Sequence, residues 1–419
     1  MVLPKKIAGL DLLRFLMAVM MVIYHVQPLL FNSFYNILTY NGFYGTSTFL
    51  ILSGFILTHV YQNKIKDQRF SNKEFLIKRW IALYPMHFIT LLFSIFTFFL
   101  MFFITGKSFP IEILPTTLPN IESSESVFYL FPKDIYTYVI ESVFLLQAWD
   151  YRFLFFNGAS WSVSCLMFFY LFFYTFVRKI NKINKIKTFF LFFWLFSLIP
   201  PLFFTYKNMY GSDIIGLVHR NPILRISDFI YGIFFYYILI NLKNKINILF
   251  PLILSISGFI AIYFLVKNNP NKWFYLSHNG LFAISQISLI YCFINIKFKN
   301  ENLINILSLL GKSSLSIYML HLPLLYVYII LYKIYISIVF LKATSINQIV
   351  IYSKDIKYIN EIGFYIFLVL LIPFAILVQK YFFTPLQTYL STLILKKFYK
   401  SNFSNDYVDS LSINQNLKK

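Results

Sequence analysis

The chain has 419 residues, of which 58% are hydrophobic and 21% aromatic against only 13% charged, and a soluble surface of this size takes roughly twice that charged fraction. Its formal net charge of +21 would suit nucleic acid if it formed a patch, but the basic residues sit in short, alternate connections between apolar runs, the positive-inside pattern. Composition therefore excludes a soluble enzyme and argues against nucleic-acid binding. The expected class is all-α, a polytopic transmembrane helical bundle in a lipid bilayer.

About ten spans are predicted, at roughly 10–31, 42–60, 80–104, 160–177, 188–205, 223–241, 248–266, 278–296, 314–341 and 359–382, each near the ~20 residues that cross the hydrocarbon core. Lys5 and Lys6 precede the first run as in a signal peptide, yet no small-residue cleavage site follows, so an uncleaved span is expected. The connections assigned to the cytoplasm carry Lys64, Lys66, Arg69, Lys73, Lys78 and Arg79, then Arg178, Lys179, Lys182, Lys185 and Lys187, then Lys243 and Lys245, then Lys297, Lys299 and Lys312, then Lys396, Lys397 and Lys400. An even number of spans puts both termini in the cytoplasm. The longest opposite segment, 105–159, holds Glu112, Glu122, Glu125, Asp134, Glu141 and Asp150 against only Lys107, Lys133 and Arg152. One domain, 1–397, is expected, followed by a disordered polar tail over 398–419.

Ionisable groups inside spans are costly, ~3 kcal/mol at mid-bilayer on insertion scales, and mark candidate sites. Arg14 and His25 are eleven residues apart in the first span, close to three helical turns, so they share a face about 16 Å apart along the axis. That arrangement suits a substrate entering at one side and reacting towards the other; equally, Arg14 snorkels and His25 is a core histidine. Ser53-Gly54 in the second span reads as a small pair permitting close helix packing. Lys78 and Arg79 either hold phosphates or serve only topology. Cys165 and Cys292 fall inside predicted spans, where packing is expected rather than a disulfide. Arg225 and Asp228, three apart, are placed to form an intramembrane pair. Trp149, Tyr151 and the acids of 105–159 either face an acceptor or are interfacial aromatics. The histidines at 25, 59, 87, 219, 278 and 321 show no metal-ligand spacing, and no metal is expected.

Six pieces in order resemble the acyltransferase-3 family of bacterial membrane proteins: Arg14…His25; the Phe-rich run to Ser53-Gly54; Lys78-Arg79 to Tyr84-Pro85; Trp161-Ser162 through Tyr170; Pro222-x-x-Arg225 with Asp228-Phe229-x-x-Gly232; and Tyr318-x-x-His321 before Pro323. The resemblance covers about residues 7–380. It implies a multi-pass enzyme of the inner (cytoplasmic) membrane, an O-acyltransferase and by default an O-acetyltransferase. Such an enzyme takes its acyl group from cytoplasmic acetyl-CoA or another acyl-CoA as co-substrate, with no resident cofactor. The acceptor is a hydroxyl of a cell-envelope polysaccharide, lipopolysaccharide or lipid-linked sugar at the outer face. Carried over, His25 is the catalytic histidine, Arg14 orients the donor, and Lys78 and Arg79 hold its phosphates. Ser53, Gly54, Trp161, Ser162, Tyr170, Arg225, Asp228, Tyr318 and His321 shape the cavity, with His321 either a packing histidine or a substrate contact. Two positions depart from the pattern: Leu166 stands where the family has Glu, and Ala82 where it has a second Arg. Glu141 is a candidate substitute acid.

The alternatives are a transporter or flippase of a glycan precursor, a catalytically impaired relative, or a polysaccharide polymerase. Leu166 and Ala82 favour the first two. No inverted repeat or matched pair of Gly/Pro-broken helices supports transport, and the polymerase reading gives Arg14–His25 and the 310–323 motif no place.

Overall fold

The computed structural model describes residues 3–26, 37–38, 41–67, 70–105, 109–113, 128–152, 154–210, 212–356 and 359–402. Arg69, Lys107, Glu122, Glu125 and most of the expected tail lie outside them. The fold is all-α apart from one small ribbon. Its helices are α1 (Ala8–Val26), α2 (Gly42–Lys66), α3 (Asn72–Thr105), α4 (Pro132–Val143), α5 (Trp161–Ile180), α6 (Ile186–Ser197), α7 (Ile199–Tyr206), α8 (Ser212–Arg220) and α9 (Pro222–Ile240). They continue as α10 (Leu249–Asn268), α11 (Pro270–His278), α12 (Ala283–Asn295), α13 (Glu301–Val339), α14 (Ile346–Asp355), α15 (Glu361–Val378) and α16 (Thr384–Asn402). The segment after α3 contributes an antiparallel pair, β1 (Ile111–Ile113) and β2 (Phe128–Leu130), in the register Ile111 to Leu130.

Among the described residues, nine helical segments are long and apolar enough to cross a membrane. The stretch expected at 278–296 folds as α12, whose 13 residues reach only ~20 Å at 1.5 Å each, short of the ~30 Å core. In the other direction, α13 begins at Glu301, well before the expected 314, because the Asn300 side chain caps it through the amide of Leu303 at 3.2 Å. Its 39 residues come to ~58 Å. Asn221, Asn269 and Asn360 cap α9, α11 and α15 in the same way, the first two ahead of a proline at the first helical position. α16 continues to Asn402, past the boundary expected at 397.

In the packing, α1 lies against α13 and α2, and α2 lies against α9 and α5. α3 joins this group through α5, α13 and α16, while α6, α10 and α15 are peripheral. The peripheral helices turn Phe192, Phe196, Phe250, Ile253, Val369 and Leu370 outward, an apolar exterior that lipid accepts and water would not. Backbone contact at glycines draws the inner helices together. A Cβ on Gly54 would fall on the carbonyl oxygen of Phe229, and one on Gly232 on that of Ile51, so α2 and α9 cross through reciprocal glycines.

Candidate active site

Two contacts fix α1 beside α13, running the same way. Near one end Gly311 abuts Asp11, leaving no room for a Cβ. Near the other, His25 Nδ1 lies 3.0 Å from His321 Nε2. Each ring also faces a backbone carbonyl one turn back: His25 Nδ1 is 2.9 Å from Met21 O, and His321 Nδ1 is 2.6 Å from Tyr318 O. A carbonyl only accepts, so Nδ1 carries the proton on both neutral rings. His321 Nε2 is then an acceptor for His25 Nδ1–H, and His25 Nε2 is left with its lone pair. His321 is fully buried and His25 half-buried.

The 157–162 turn and α5 brace this pair. Tyr318 donates to Ala159 O at 2.9 Å and accepts from Ser162 at 3.1 Å, and Asn157 donates to Met319 O at 2.8 Å. Trp161 stands 5.0 Å from the His219 ring and 5.9 Å from the Arg225 guanidinium. Arg225 and Asp228 are ion-paired, Nη2 to Oδ2, at 2.8 Å, each 1% exposed. Arg225 also donates to Ser47 Oγ at 2.7 Å and to the His278 carbonyl. This pair ties α9 to α2 and α11; it does not line the cavity described next.

Towards the opposite end of α1, a cavity of 410 Å³ is bounded by Arg14, Arg79 and Lys312. Its apolar wall includes Phe49, Leu52, Leu83, Met86 and Leu166, and its polar lining includes Ser53, Tyr170, Gln379, Thr384 and Gln387. Arg14, 28% exposed, has only a loose contact with Asp11 at 4.0 Å. Arg79 donates to the Tyr61 hydroxyl at 3.0 Å. No carboxylate lines the cavity among the described residues, so its electrostatics are cationic throughout.

Of the residues named from sequence, Arg14, Ser53, Arg79 and Tyr170 share this cavity, while Gly54 serves the α2–α9 crossing. Lys78 does not line it: its ammonium is held by Glu74 at 2.6 Å, one turn back on α3. Lys312 stands in the wall instead. Its sequence signal, a lysine in a connection, was the same as that of every topological lysine. Leu166 and Ala82, the two departures, both line the cavity. Gln379, Thr384 and Gln387 carried no sequence signal at all. Phe49 links cavity and histidines, its ring near-parallel to that of Tyr318 at 6.3 Å, with Tyr318 in turn 5.8 Å from His321.

At the His25 end, outside the spans, a groove of 540 Å³ is lined by Glu141, Leu146, Trp149, Asp150, Tyr151 and Arg152. Asp150 accepts from Arg152 at 3.1 Å, a hydrogen bond that raises the Arg152 pKa. Burial, then the nearby Asp150 charge, raises the Glu141 carboxyl above the usual range. Arg220 donates to the Asp150 carbonyl at 2.9 Å and so anchors the groove to the end of α8. Cys165 and Cys292 are free and buried.

Searches of curated proteins and of solved structures gave no match to the chain. Residues 7–379 match the acyltransferase-3 family model, described as an acyltransferase domain. That span takes in the cavity cations Arg14, Arg79 and Lys312 and the histidine pair alike, and so the chain belongs to the acyltransferase-3 family and its bundle is that of a membrane acyltransferase.

Proposed function

We propose that the protein moves an acyl group, acetyl by default, from cytoplasmic acyl-CoA to a hydroxyl of a surface glycan or lipid-linked sugar at the outer face. The observation that carries this reading is the His25–His321 pair, which leaves one basic nitrogen about 16 Å along α1 from a cavity whose charged groups, among the described residues, are Arg14, Arg79 and Lys312. Those cations suit the donor's phosphates, and the apolar wall suits its thioester arm. The groove at Trp149 and Tyr151 suits a saccharide, with exposed rings beside carboxylates and a guanidinium.

In this reading His25 Nε2 takes the proton of the sugar hydroxyl as its oxygen attacks the thioester carbonyl carbon. The tetrahedral intermediate collapses, the carbon–sulfur bond breaks, and the CoA thiolate leaves with the proton that His25 returns. His321 keeps the base in the correct tautomer, so no carboxylate is required at position 166. A transporter needs no acyl-CoA, and membership of an acyltransferase family supports the enzyme. The test is thermal stabilisation of the detergent-purified protein by acetyl-CoA, together with acyl transfer to an extracted envelope glycan. Arg14→Gln is expected to lose the stabilisation. His25→Ala is expected to keep it while transfer falls ~10²–10⁴-fold. A folded wild type that gains no stability from millimolar acetyl-CoA, or a His25→Ala variant with undiminished transfer, would overturn the reading.

A further inference from the structure

Between α15 and α16 the helix does not continue regularly: Gln379–Phe383 form a π turn. Such turns are rare and concentrate at functional sites. Here the consequence is a change of face. Five residues along an α-helix is about 140° away from the starting direction, but a π turn closes bonds from i to i+5 and stacks those positions. Gln379 and Thr384 therefore lie on one face, and Gln387, three residues further, continues it. All three line the cationic cavity. Gln379 is the strut: its Oε1 accepts from Ser316 at 2.6 Å, and its Nε2 donates to Thr384 Oγ1 at 3.0 Å. Gln387 Nε2 donates to Ala82 O at 2.8 Å. Among the described residues, the Thr384 hydroxyl proton and Gln387 Oε1 have no hydrogen-bond partner, so the face offers the cavity one donor and one acceptor.

The depth of this face can be read from α3 and α13. Arg79, Ala82 and Met86 succeed one another along α3, a rise of ~10 Å from first to last. Gln387 is bonded at the level of Ala82, and Ser316, the partner of Gln379, touches Met86 Sδ at 3.8 Å. The amides thus begin one turn inward of the Arg79 guanidinium and extend towards Tyr318 and the histidines.

We infer that Thr384 and Gln387, set by the π turn, form a subsite for the amide-bearing arm of the acyl donor, distinct from the cations that hold its phosphates. The inference rests on the acyl-CoA reading above. The pantetheine arm carries two amides, each with a carbonyl to accept from Thr384 and an N–H to donate to Gln387 Oε1. The flanking apolar wall takes its methylene and methyl groups. The family match ends at Gln379, so Thr384 and Gln387 are features of this chain beyond that match.

The experiment compares two probes on the full-length purified protein: acetyl-CoA, and adenosine 3′,5′-bisphosphate, which keeps a phosphate-bearing nucleotide and lacks the arm. Thr384→Val and Gln387→Met are expected to bind acetyl-CoA about two- to tenfold more weakly, the worth of one hydrogen bond, with the bisphosphate unchanged. Arg79→Gln is expected to weaken both. Unchanged acetyl-CoA affinity in both variants, with wild type binding it, would overturn the subsite and leave the donor reading standing. Equal losses for both probes would show general damage to the cavity and overturn it too. Wild type binding neither probe would remove the donor reading, and this inference with it.

Discussion

His25 and His321 are 296 residues apart in sequence and 3.0 Å apart in space, and the value of that contact is directional. His321 Nε2 accepts only because its other nitrogen is committed to Tyr318 O, and only that acceptor, with Met21 O, holds the His25 proton on Nδ1. Removing it leaves Met21 O as the one acceptor for that proton among the described residues and loosens the hold on the ring's tautomer and orientation. His321→Ala is therefore expected to lower kcat ~10²-fold with little change in the KM for donor. His321→Gln, whose amide oxygen can accept in place of Nε2, is expected to recover part of the loss. A His321→Ala enzyme with wild-type kcat, or a Gln variant as inactive as Ala, would make His321 a packing residue. Arg14 and His25 were legible from their eleven-residue spacing within one helix. The partner of His25 was not, because nothing local distinguishes a buried histidine that orients from one that packs. Lys78 and Arg79 are adjacent and read alike, yet a helix turns ~100° per residue, which sends one to Glu74 and the other into the cavity.

At the scale of elements, most spans announced themselves through apolar length, since lipid demands about 20 such residues whatever the tertiary context. The failures have physical causes. α12 is shorter than the predicted span, and because it packs between α1, α2 and α10 it need not meet lipid along its whole length. α13 overruns because a polar cap and a charged first turn extend it beyond the apolar run. The π turn was invisible because it changes hydrogen bonding without changing composition. Ser53-Gly54 and Gly232 were visible as small residues, but which helices they join is a tertiary fact. Their crossing makes a definite prediction. Gly54→Leu must push α2 from α9 against the Phe229 carbonyl; overpacking typically costs ~1–3 kcal/mol and occasionally more. The variant is expected to unfold several degrees lower in detergent and, because Ser53 lines the cavity, to bind donor less well. An unchanged Tm would mean that the crossing yields without strain.

For the molecule as a whole the consequential property is its polarity across the membrane, because the proposed donor cavity at one end and the proposed saccharide groove at the other would be useful only in one orientation. The cavity cations lie near helix ends that adjoin lysine-rich connections: Arg79 follows Lys64, Lys66 and Lys73, and Lys312 follows Lys297 and Lys299. The groove lies with α4 and α8 at the other end of the bundle. Lysine and arginine resist translocation, so the basic connections, and the cavity mouth with them, are expected in the cytoplasm. The two native cysteines are buried, which leaves a quiet background for labelling. Lys185→Cys, between α5 and α6, and Asn208→Cys, between α7 and α8, place single exposed thiols at opposite ends. A membrane-impermeant maleimide applied to intact cells (outer membrane permeabilised where there is one) is expected to label position 208 at once and position 185 only after the inner membrane is breached. The reverse pattern would put Arg14, Arg79 and Lys312 on the side without acyl-CoA, and no donor from the cytoplasm could then reach the cavity without first crossing the bilayer.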